Sequence, residues 1–303
     1  MDSTSCLRHA EQTIEEHSNG LPKDKLLGGL RVATQFRAAD GQKVELPLGA
    51  SRFGGLPDLP ASVEWPRWDG YSQPDLVLES GRRVAQGCRP SALSFLAQLN
   101  LSETPNPTRL LPETGWLCFF FDTAQQPWGF DPRHRGSARV IYFDTDPALL
   151  QRIDAPADAE VIPSTEILSE LAATLPRRAH PLGLKLGEPE SDAYYDLAEE
   201  RLAGKKPHHR LLGWPMQIQG DMDRECQLVT HGIHCGSSEG YRSAEARRLE
   251  DGVKDWLMLL QLDTDEEGPG WMWGDAGCLY FWIRKQDLAE RRFESSWAIL
   301  QCY

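Results

Sequence analysis

The chain has 303 residues, of which 40% are hydrophobic and 25% are charged, the composition of an ordinary globular protein. Its 32 Lys and Arg residues against 45 Asp and Glu residues give a net charge of −13, which offers nucleic acid and anionic lipid no general attraction. The seven cysteines are odd in number and scattered, and no apolar leader stands near the N-terminus, so we expect reduced thiols and a cytoplasmic protein.

The first elements along the chain are a polar segment and a strand. Residues 1–29 contain few and widely spaced apolar side chains, which indicates a polar N-terminal tail or a loosely docked helix. From Leu30 to Phe36 every second residue is apolar or β-branched, and this period of two predicts a strand. The strand is expected to end at the turn Ala39-Asp40-Gly41.

Two parts of the chain resemble each other, and both indicate paired, buried strands. FLAQLNL at 95–101 is followed by GWLCFFFD at 115–122, and MLLQLDT at 258–264 is followed by GCLYFWIR at 277–284. In addition, Gly55-Leu56-Pro57 has a counterpart in Gly213-Trp214-Pro215. Chance similarity of apolar strands could explain any one pair, but three pairs in the same order favour an internal duplication.

The remaining elements are one more strand and a few helices. RVIYFD at 139–144 has strand composition, and Asp146 before Pro147 is typical of the start of a short helix. Helical patterns are also present at 192–202 and 243–253. Prolines and glycines without periodicity indicate that 176–188 is a connection.

These elements predict an α+β fold of mainly antiparallel sheets, in two pseudo-duplicated halves packed as one compact body. The first half is expected to span 30–175 and the second half 189–303, with 1–29 outside both.

Short motifs are spread over residues 51–287. They are SRFGGLPDLP from Ser51, EWP from Glu64, FLAQLN from Phe95, LPETG from Leu111, LGWP from Leu212, Asp221-Met222, Cys226-Gln227, LQLD from Leu260 and WGDAG from Trp273. This ordered set resembles the bacterial YwqG-like family, a domain of unknown function. The resemblance implies a soluble bacterial α+β protein, and it suggests a partner-neutralising or regulatory role. It provides no activity, cofactor or catalytic residue.

The densest acidic cluster lies between the second pair of strands. Asp263, Asp265, Trp273 and Asp275 are the candidate binding residues of this loop. The stretch from Asp263 to Gly268 fits the start of a calcium loop, but position twelve is a glycine, so a solvated hairpin loop is the simpler interpretation. Like charges so close together require compensation. A cation, a basic partner surface, or arginines such as those at 242, 247 and 248 could provide it.

A second cluster contains Cys226, His231, His234 and Cys235. All four side chains can bind zinc, but their spacing matches no familiar zinc motif, and a buried free cysteine beside a histidine-rich turn is the better interpretation. Cys226 with a nearby histidine is also the best candidate for a nucleophile, although Glu225 beside it opposes thiolate formation. We therefore predict no catalytic residue, no metal ligand and no cofactor.

Gln98 and Gln261 occupy equivalent positions in the two central strands. A buried amide needs hydrogen-bond partners, so each could serve its own half, or both could line a cleft between the halves. We include both as candidate binding residues.

The function that these features favour is a non-catalytic binding or interaction protein with a protein partner, and neither nucleic acid nor a membrane. The alternative is a hydrolase or cation-dependent enzyme that uses the acidic loop of the second half.

Overall fold

The computed structural model describes residues 2–39, 46–73, 76–77, 83–84, 87–204 and 206–303, with the backbone alone at 76–77 and 83–84. The chain combines helices with a mostly antiparallel sheet. The helices are α1 (Ser3–His17), α2 (Lys23–Gly29), α3 (Glu190–Tyr195), α4 (Met222–Val229), α5 (Ser238–Arg242), α6 (Ala244–Leu249) and α7 (Lys285–Ala289). The strands are β1 (Arg31–Ala38), β2 (Arg52–Phe53), β3 (Asp58–Pro60), β4 (Arg67–Trp68), β5 (Leu76–Val77), β6 (Arg83–Val84), β7 (Ser91–Ala92), β8 (Ser94–Asn100), β9 (Trp116–Phe121), β10 (Ala138–Phe143), β11 (Leu150–Arg152), β12 (Thr165–Thr174), β13 (His209–Leu211), β14 (Trp256–Asp263), β15 (Cys278–Arg284) and β16 (Trp297–Gln301).

Ten strands form one sheet in the order β10-β9-β8-β2-β12-β1-β13-β14-β15-β16. The long strands β12 and β1 lie at its centre and pair along their whole length, from Arg31 opposite Thr174 to Ala38 opposite Ile167. On the other side, β1 also pairs with β13. The strand nearest the N-terminus therefore joins the early and the late parts of the chain.

The central strands β12 and β1 divide the sheet into two wings, β10-β9-β8-β2 on one side and β13-β14-β15-β16 on the other. The sheet curls so that these two wings face each other. The rings of Phe119 in β9 and Phe281 in β15 lie 5.2 Å apart between centroids, and Phe121 contacts Trp273 at 6.0 Å, although these strands are far apart in the sheet order. Alternate residues of a strand point to opposite faces, so the inward face of both wings contributes to one core. The result is a nearly closed, barrel-like sheet.

The strand predictions are confirmed for both similar segments. β8 lies between β2 and β9, and β14 lies between β13 and β15, with all of these pairings antiparallel. β1 lies where the alternation predicts it, and β10 lies where the strand composition predicts it. Of the predicted turn Ala39-Asp40-Gly41, only the first residue belongs to the described part of the chain.

Helices form where the sequence predicts them. Asp146 caps a 3₁₀ turn at Pro147–Leu149 through a hydrogen bond to the amide of Ala148. The pattern at 192–202 is α3 continued as a π-helix at Asp196–Leu202, and the pattern at 243–253 is α6 followed by a 3₁₀ turn at Glu250–Asp255. Within the described ranges, no helix combines the length and the apolar character needed to cross a membrane.

The polar residues 1–29 fold as the docked helices α1 and α2 rather than as a frayed tail. Asp2 caps α1 by accepting from the amide of Ser5, and Cys6, Ala10 and Ile14 are buried on its inner side. These side chains pack with residues of β12 and α3, including Ala173 and Tyr194. A spacing of four residues between apolar positions is enough to bury one face of an otherwise polar helix.

Candidate functional site: a tryptophan pocket

A pocket of about 840 Å³ opens between the N-terminal elements and the second half of the chain. It draws on α1, the start of β1, the loop at 107–110, the loop after β13, and the strands β14 and β15. We call it the tryptophan pocket, because Trp214, Trp256 and Trp282 form its walls together with Leu212, Leu257 and Met258. Its size is typical of small-ligand sites in proteins, which measure about 300–1,000 Å³.

The loop at 212–217 owes its shape to a turn that only glycine can complete. Leu212 and Gly213 both have a left-handed backbone, with φ of 61° and 77°. A Cβ atom on Gly213 would lie 2.6 Å from the Cβ of Ala33 in β1, closer than such atoms approach. The glycine therefore lets the loop cross over β1 and places Trp214 in the pocket.

Hydrogen bonds hold Trp214 in place. Its backbone amide donates to Thr174 Oγ1 at 3.0 Å, and its indole N–H donates to the carbonyl of Gly29 at 2.7 Å. The Arg31 guanidinium carbon lies 3.3 Å from the centroid of the indole ring. This cation–π stack presents a cation at the mouth of the pocket without any movement of the wall.

Gln261 supports the same loop from below. Its Oε1 accepts from the amide of Met216 at 2.8 Å, and its Nε2 donates to the carbonyl of His208 at 2.8 Å. The hydroxyl of Tyr280 donates to the carbonyl of Met216 at 2.7 Å. The contacts at Met216 join β14 and β15 to the loop, and the contact at His208 joins β14 to the residue before β13, so the fold itself fixes the position of the loop.

The pocket carries charges of both signs around its apolar walls. Asp221 lies 3.1 Å from His180 and also accepts from Gln217 Nε2 at 3.0 Å. Burial raises the pKa of Asp223. On the opposite wall, the ammonium group of Lys285 donates to the carbonyl of Lys254.

Gln98 makes the same kinds of hydrogen bond beside β2 that Gln261 makes beside β13. Its Oε1 accepts from the amide of Asp58 at 2.8 Å, and its Nε2 donates to the carbonyl of Ala50 at 3.0 Å. Gln98 and Gln261 are fully buried and do not line the tryptophan pocket. The binding role assigned to them remains a prediction, and their observed bonds serve the loops beside β2 and β13.

The acidic loop turns most of its predicted binding residues inward. Asp263 and Asp265 are buried, Trp273 is completely buried, and only Asp275 is exposed. Trp273 packs in the main core, and none of the four lines the tryptophan pocket. Their role in binding also remains a prediction.

His209 donates a hydrogen bond to this loop, and sequence reasoning missed it. Its Nδ1 accepts from the amide of Asp263 at 3.1 Å, so the proton lies on Nε2, which donates to Asp265 Oδ2 at 3.1 Å. Burial raises the pKa of Asp265, but the hydrogen bonds from His209 and the amide of Gly268 outweigh this effect and hold the pKa below its usual value. His209 lies in β13 beside Asp265, but the two residues are more than fifty positions apart in the sequence, which is why no sequence pattern revealed the contact.

The four candidate zinc ligands do not form a metal site. Cys226 is completely buried in α4, the Nδ1 of His231 bonds to the carbonyl of Gln227, and His234 is half exposed. Across the described ranges, no group of three or more potential ligand side chains could hold a metal ion. Burial also raises the pKa of Cys226, which opposes its use as a nucleophile.

Glu225 in α4 gives the protein a pH-dependent stability. Burial raises the pKa of Glu225 to about 7, against 4.5 for an ordinary glutamate. Between these two values the folded protein binds this proton more tightly than the unfolded chain, so the free energy of unfolding falls as the pH rises. The full difference is up to about 3 kcal/mol.

Glu225→Gln should remove this slope, which urea unfolding at several pH values from about 4 to about 8 would measure. Glu239→Gln, at an exposed position of α5, is the matched control and should keep the slope of the parent protein. A parent-like slope in Glu225→Gln would mean that other groups cause the pH dependence.

Sequence reasoning also missed the tryptophan pocket as a whole. Trp256 and Trp282 are interpreted from the sequence only as strand residues, and Arg31 has no motif around it. The one local signal is Trp214 between a glycine and a proline, where an aromatic residue is fixed in a tight loop.

The comparison with protein families supplies the remaining finding. Residues 51–302 match DUF1963, a domain of unknown function. The chain belongs to the DUF1963 family. The match contains the loops at 107–110 and 212–217, β14 and β15, whereas α1 and β1, which also line the pocket, precede it. No curated protein matches the sequence.

Proposed function

We propose that this DUF1963 protein is a non-catalytic binding protein that holds an apolar segment of a partner protein in the tryptophan pocket. The observation that carries the proposal is the pocket itself, which is large, walled by three indole rings and fixed by hydrogen bonds to neighbouring strands. Aromatic residues in a rigid concave surface are the usual anchors of protein interfaces.

The chemistry around the pocket favours binding over catalysis. The histidine nearest to the site, His180, lies half exposed at its edge with Asp221, and cysteine is absent from the lining residues within the described part of the chain. The carboxylates on which the enzyme alternative depends, Asp263 and Asp265, already accept hydrogen bonds from His208 and His209 inside the protein. They are therefore poorly placed to meet a substrate or a cation.

Selection of random displayed peptides against the purified protein tests this function. We expect enriched peptides whose affinity falls about thirtyfold in Trp214→Ala, the loss typical of an interface hot spot. The control is Trp128→Ala, which truncates an exposed tryptophan outside the pocket and should keep the affinity. Selection of no peptide, or equal binding by Trp214→Ala, would overturn the proposal. Turnover of a generic hydrolase substrate that disappears in His180→Ala would replace it with an enzyme.

The broader context of the protein is part of the same proposal. Membership of DUF1963 and the motifs shared with the YwqG-like family support a bacterial, cytoplasmic protein with a partner-neutralising or regulatory role. The acidic net charge supports a protein partner rather than nucleic acid.

We also infer that the two halves arose by duplication. The support is chemical as well as topological. Gln98 bonds the carbonyl of Ala50 and the amide of Asp58, and Gln261 bonds the carbonyl of His208 and the amide of Met216. Gln98 lies in β8, which pairs with β2, and Gln261 lies in β14, which pairs with β13.

A further inference from the structure

The geometry points to an acidic, extended polypeptide as the partner of this pocket, with its apolar side chains in the tryptophan pocket and its carboxylates on a row of cations beside it. This inference rests on the proposed binding function and adds the charge and form of the partner. Its support is a second depression beside the pocket, basic side chains without ion pairs, and the contacts of the nearby acidic side chains.

The tryptophan pocket continues into a second depression of about 310 Å³. Both are lined by Leu110, Leu257 and Lys285, so they form one groove. The floor of the second depression is apolar, with Leu111, Pro112 and Leu288. Two neighbouring depressions suit an extended chain, in which alternate side chains point the same way.

Five cations follow the groove, namely Arg31, Arg109, Lys254, Lys285 and Arg291. Among the described residues, none of the five has a carboxylate within the 4 Å of an ion pair. This basic row stands out on a chain whose net charge is −13. A partner with carboxylates would supply the missing counter-charges.

The groove also contains two carboxylates, and both are near other polar groups of the protein. Asp221 is engaged by His180 and Gln217, and burial together with the charge of Asp221 raises the pKa of Asp223. Asp223 acts on Arg31 from beyond ion-pair distance. Because the face of the Arg31 guanidinium rests on Trp214, its N–H edges remain available for a carboxylate.

A polypeptide fits these features better than a polyphosphate. The lining of the groove mixes apolar side chains with five cations and two carboxylates, whereas a nucleic acid needs a continuous basic surface and is repelled by the strongly acidic remainder of the protein. The partner is therefore recognised by apolar residues interspersed with Asp and Glu.

The experiment selects a random displayed peptide library on the parent protein, on Trp214→Ala and on the double variant Lys285→Glu/Arg291→Glu. Both of these charged positions are exposed, and Lys285 starts α7, where a glutamate is tolerated by the helix. The double variant Arg247→Glu/Arg248→Glu makes the same charge change on exposed positions of α6 and is the control. Thermal unfolding of each variant confirms that it is folded.

We expect peptides enriched in Asp, Glu and apolar residues, with affinity that falls about tenfold in Lys285→Glu/Arg291→Glu, stays unchanged in the control and weakens with added salt. Two results would overturn the inference: selected peptides without acidic enrichment, or equal affinity for both charge-reversed proteins. If the affinity still falls in Trp214→Ala, the proposed binding function stands. Peptides that bind Trp214→Ala as well as the parent would overturn both.

Discussion

Asp58→Asn is expected to lower the free energy of unfolding by about 3–5 kcal/mol, because it removes one member of a buried group of charges. The carboxylate of Asp58 is completely buried and lies 2.6 Å from Arg52 Nη2 and 2.9 Å from Arg152 Nε. Burial raises the pKa of Asp58, but the hydrogen bond from Arg152 and the charge of Arg52 outweigh this effect and hold the pKa below its usual value of 3.8. The asparagine keeps the shape and leaves Arg52 without its counter-charge.

The residues around β13 provide a comparison. Arg210 lies in β13 as Arg52 lies in β2, and the amide of Met216 donates to Gln261 as the amide of Asp58 donates to Gln98. Arg210 is buried, its Nη1 reaches only the carbonyl of Trp214 at 3.3 Å, and its Nε and Nη2 have no partner among the described residues. Burial lowers the pKa of Arg210 to about 10.

Arg210→Met is therefore the matched variant. Removal of an unpaired buried charge should change the free energy of unfolding by less than about 1 kcal/mol or raise it, in contrast to the loss in Asp58→Asn. Chemical denaturation above about pH 5 measures both, because the contribution of Asp58 is complete above 3.8 and is lost as the pH falls below it. A loss in Arg210→Met as large as that in Asp58→Asn would show that Arg210 stabilises the protein through packing, which outweighs the cost of its buried charge.

Sequence patterns were sufficient for the parts of this fold that depend on neighbours along the chain. The alternation in β1, β8, β14 and β15 and the capped turn after Asp146 lie where period and capping chemistry predict them. Such signals arise because the apolar side chains of a strand that faces a core recur every two residues, and because the residue that caps a helix directly precedes that helix in the sequence.

The site depends on residues that are far apart in the chain, which is why the sequence did not reveal it. Arg31 meets Trp214 only after β1 has packed against the loop that follows β13, and Lys285 meets Lys254 across 31 positions of the chain. In the same way, the acidic loop suggests an exposed surface until His209 is seen beside Asp265. A pattern of charge along the chain carries no information about the strand that comes to lie next to it.

Removal of residues 2–45 is expected to abolish cooperative folding, although the remaining chain contains the whole stretch that matches DUF1963. β1 pairs with β12 at eight positions and with β13 at three. Each hydrogen bond contributes about 1 kcal/mol, and domains are stable by only about 5–15 kcal/mol, so the lost pairings alone are comparable to the total. The deletion also exposes the apolar side chains of β12 and α3 that α1 covers.

The comparison variant removes residues 2–18 and keeps β1. It loses the burial of Cys6, Ala10 and Ile14 but retains the central pairing, so it should unfold cooperatively at a lower temperature than the parent protein. Thermal unfolding followed by circular dichroism distinguishes the two deletions, and a synthetic peptide covering residues 20–39 should restore a transition to the longer one. A sharp, parent-like transition in the chain that begins at Leu46 would mean that β12 and β13 can pair without β1. The two wings would then not depend on the strand that joins them in the sheet.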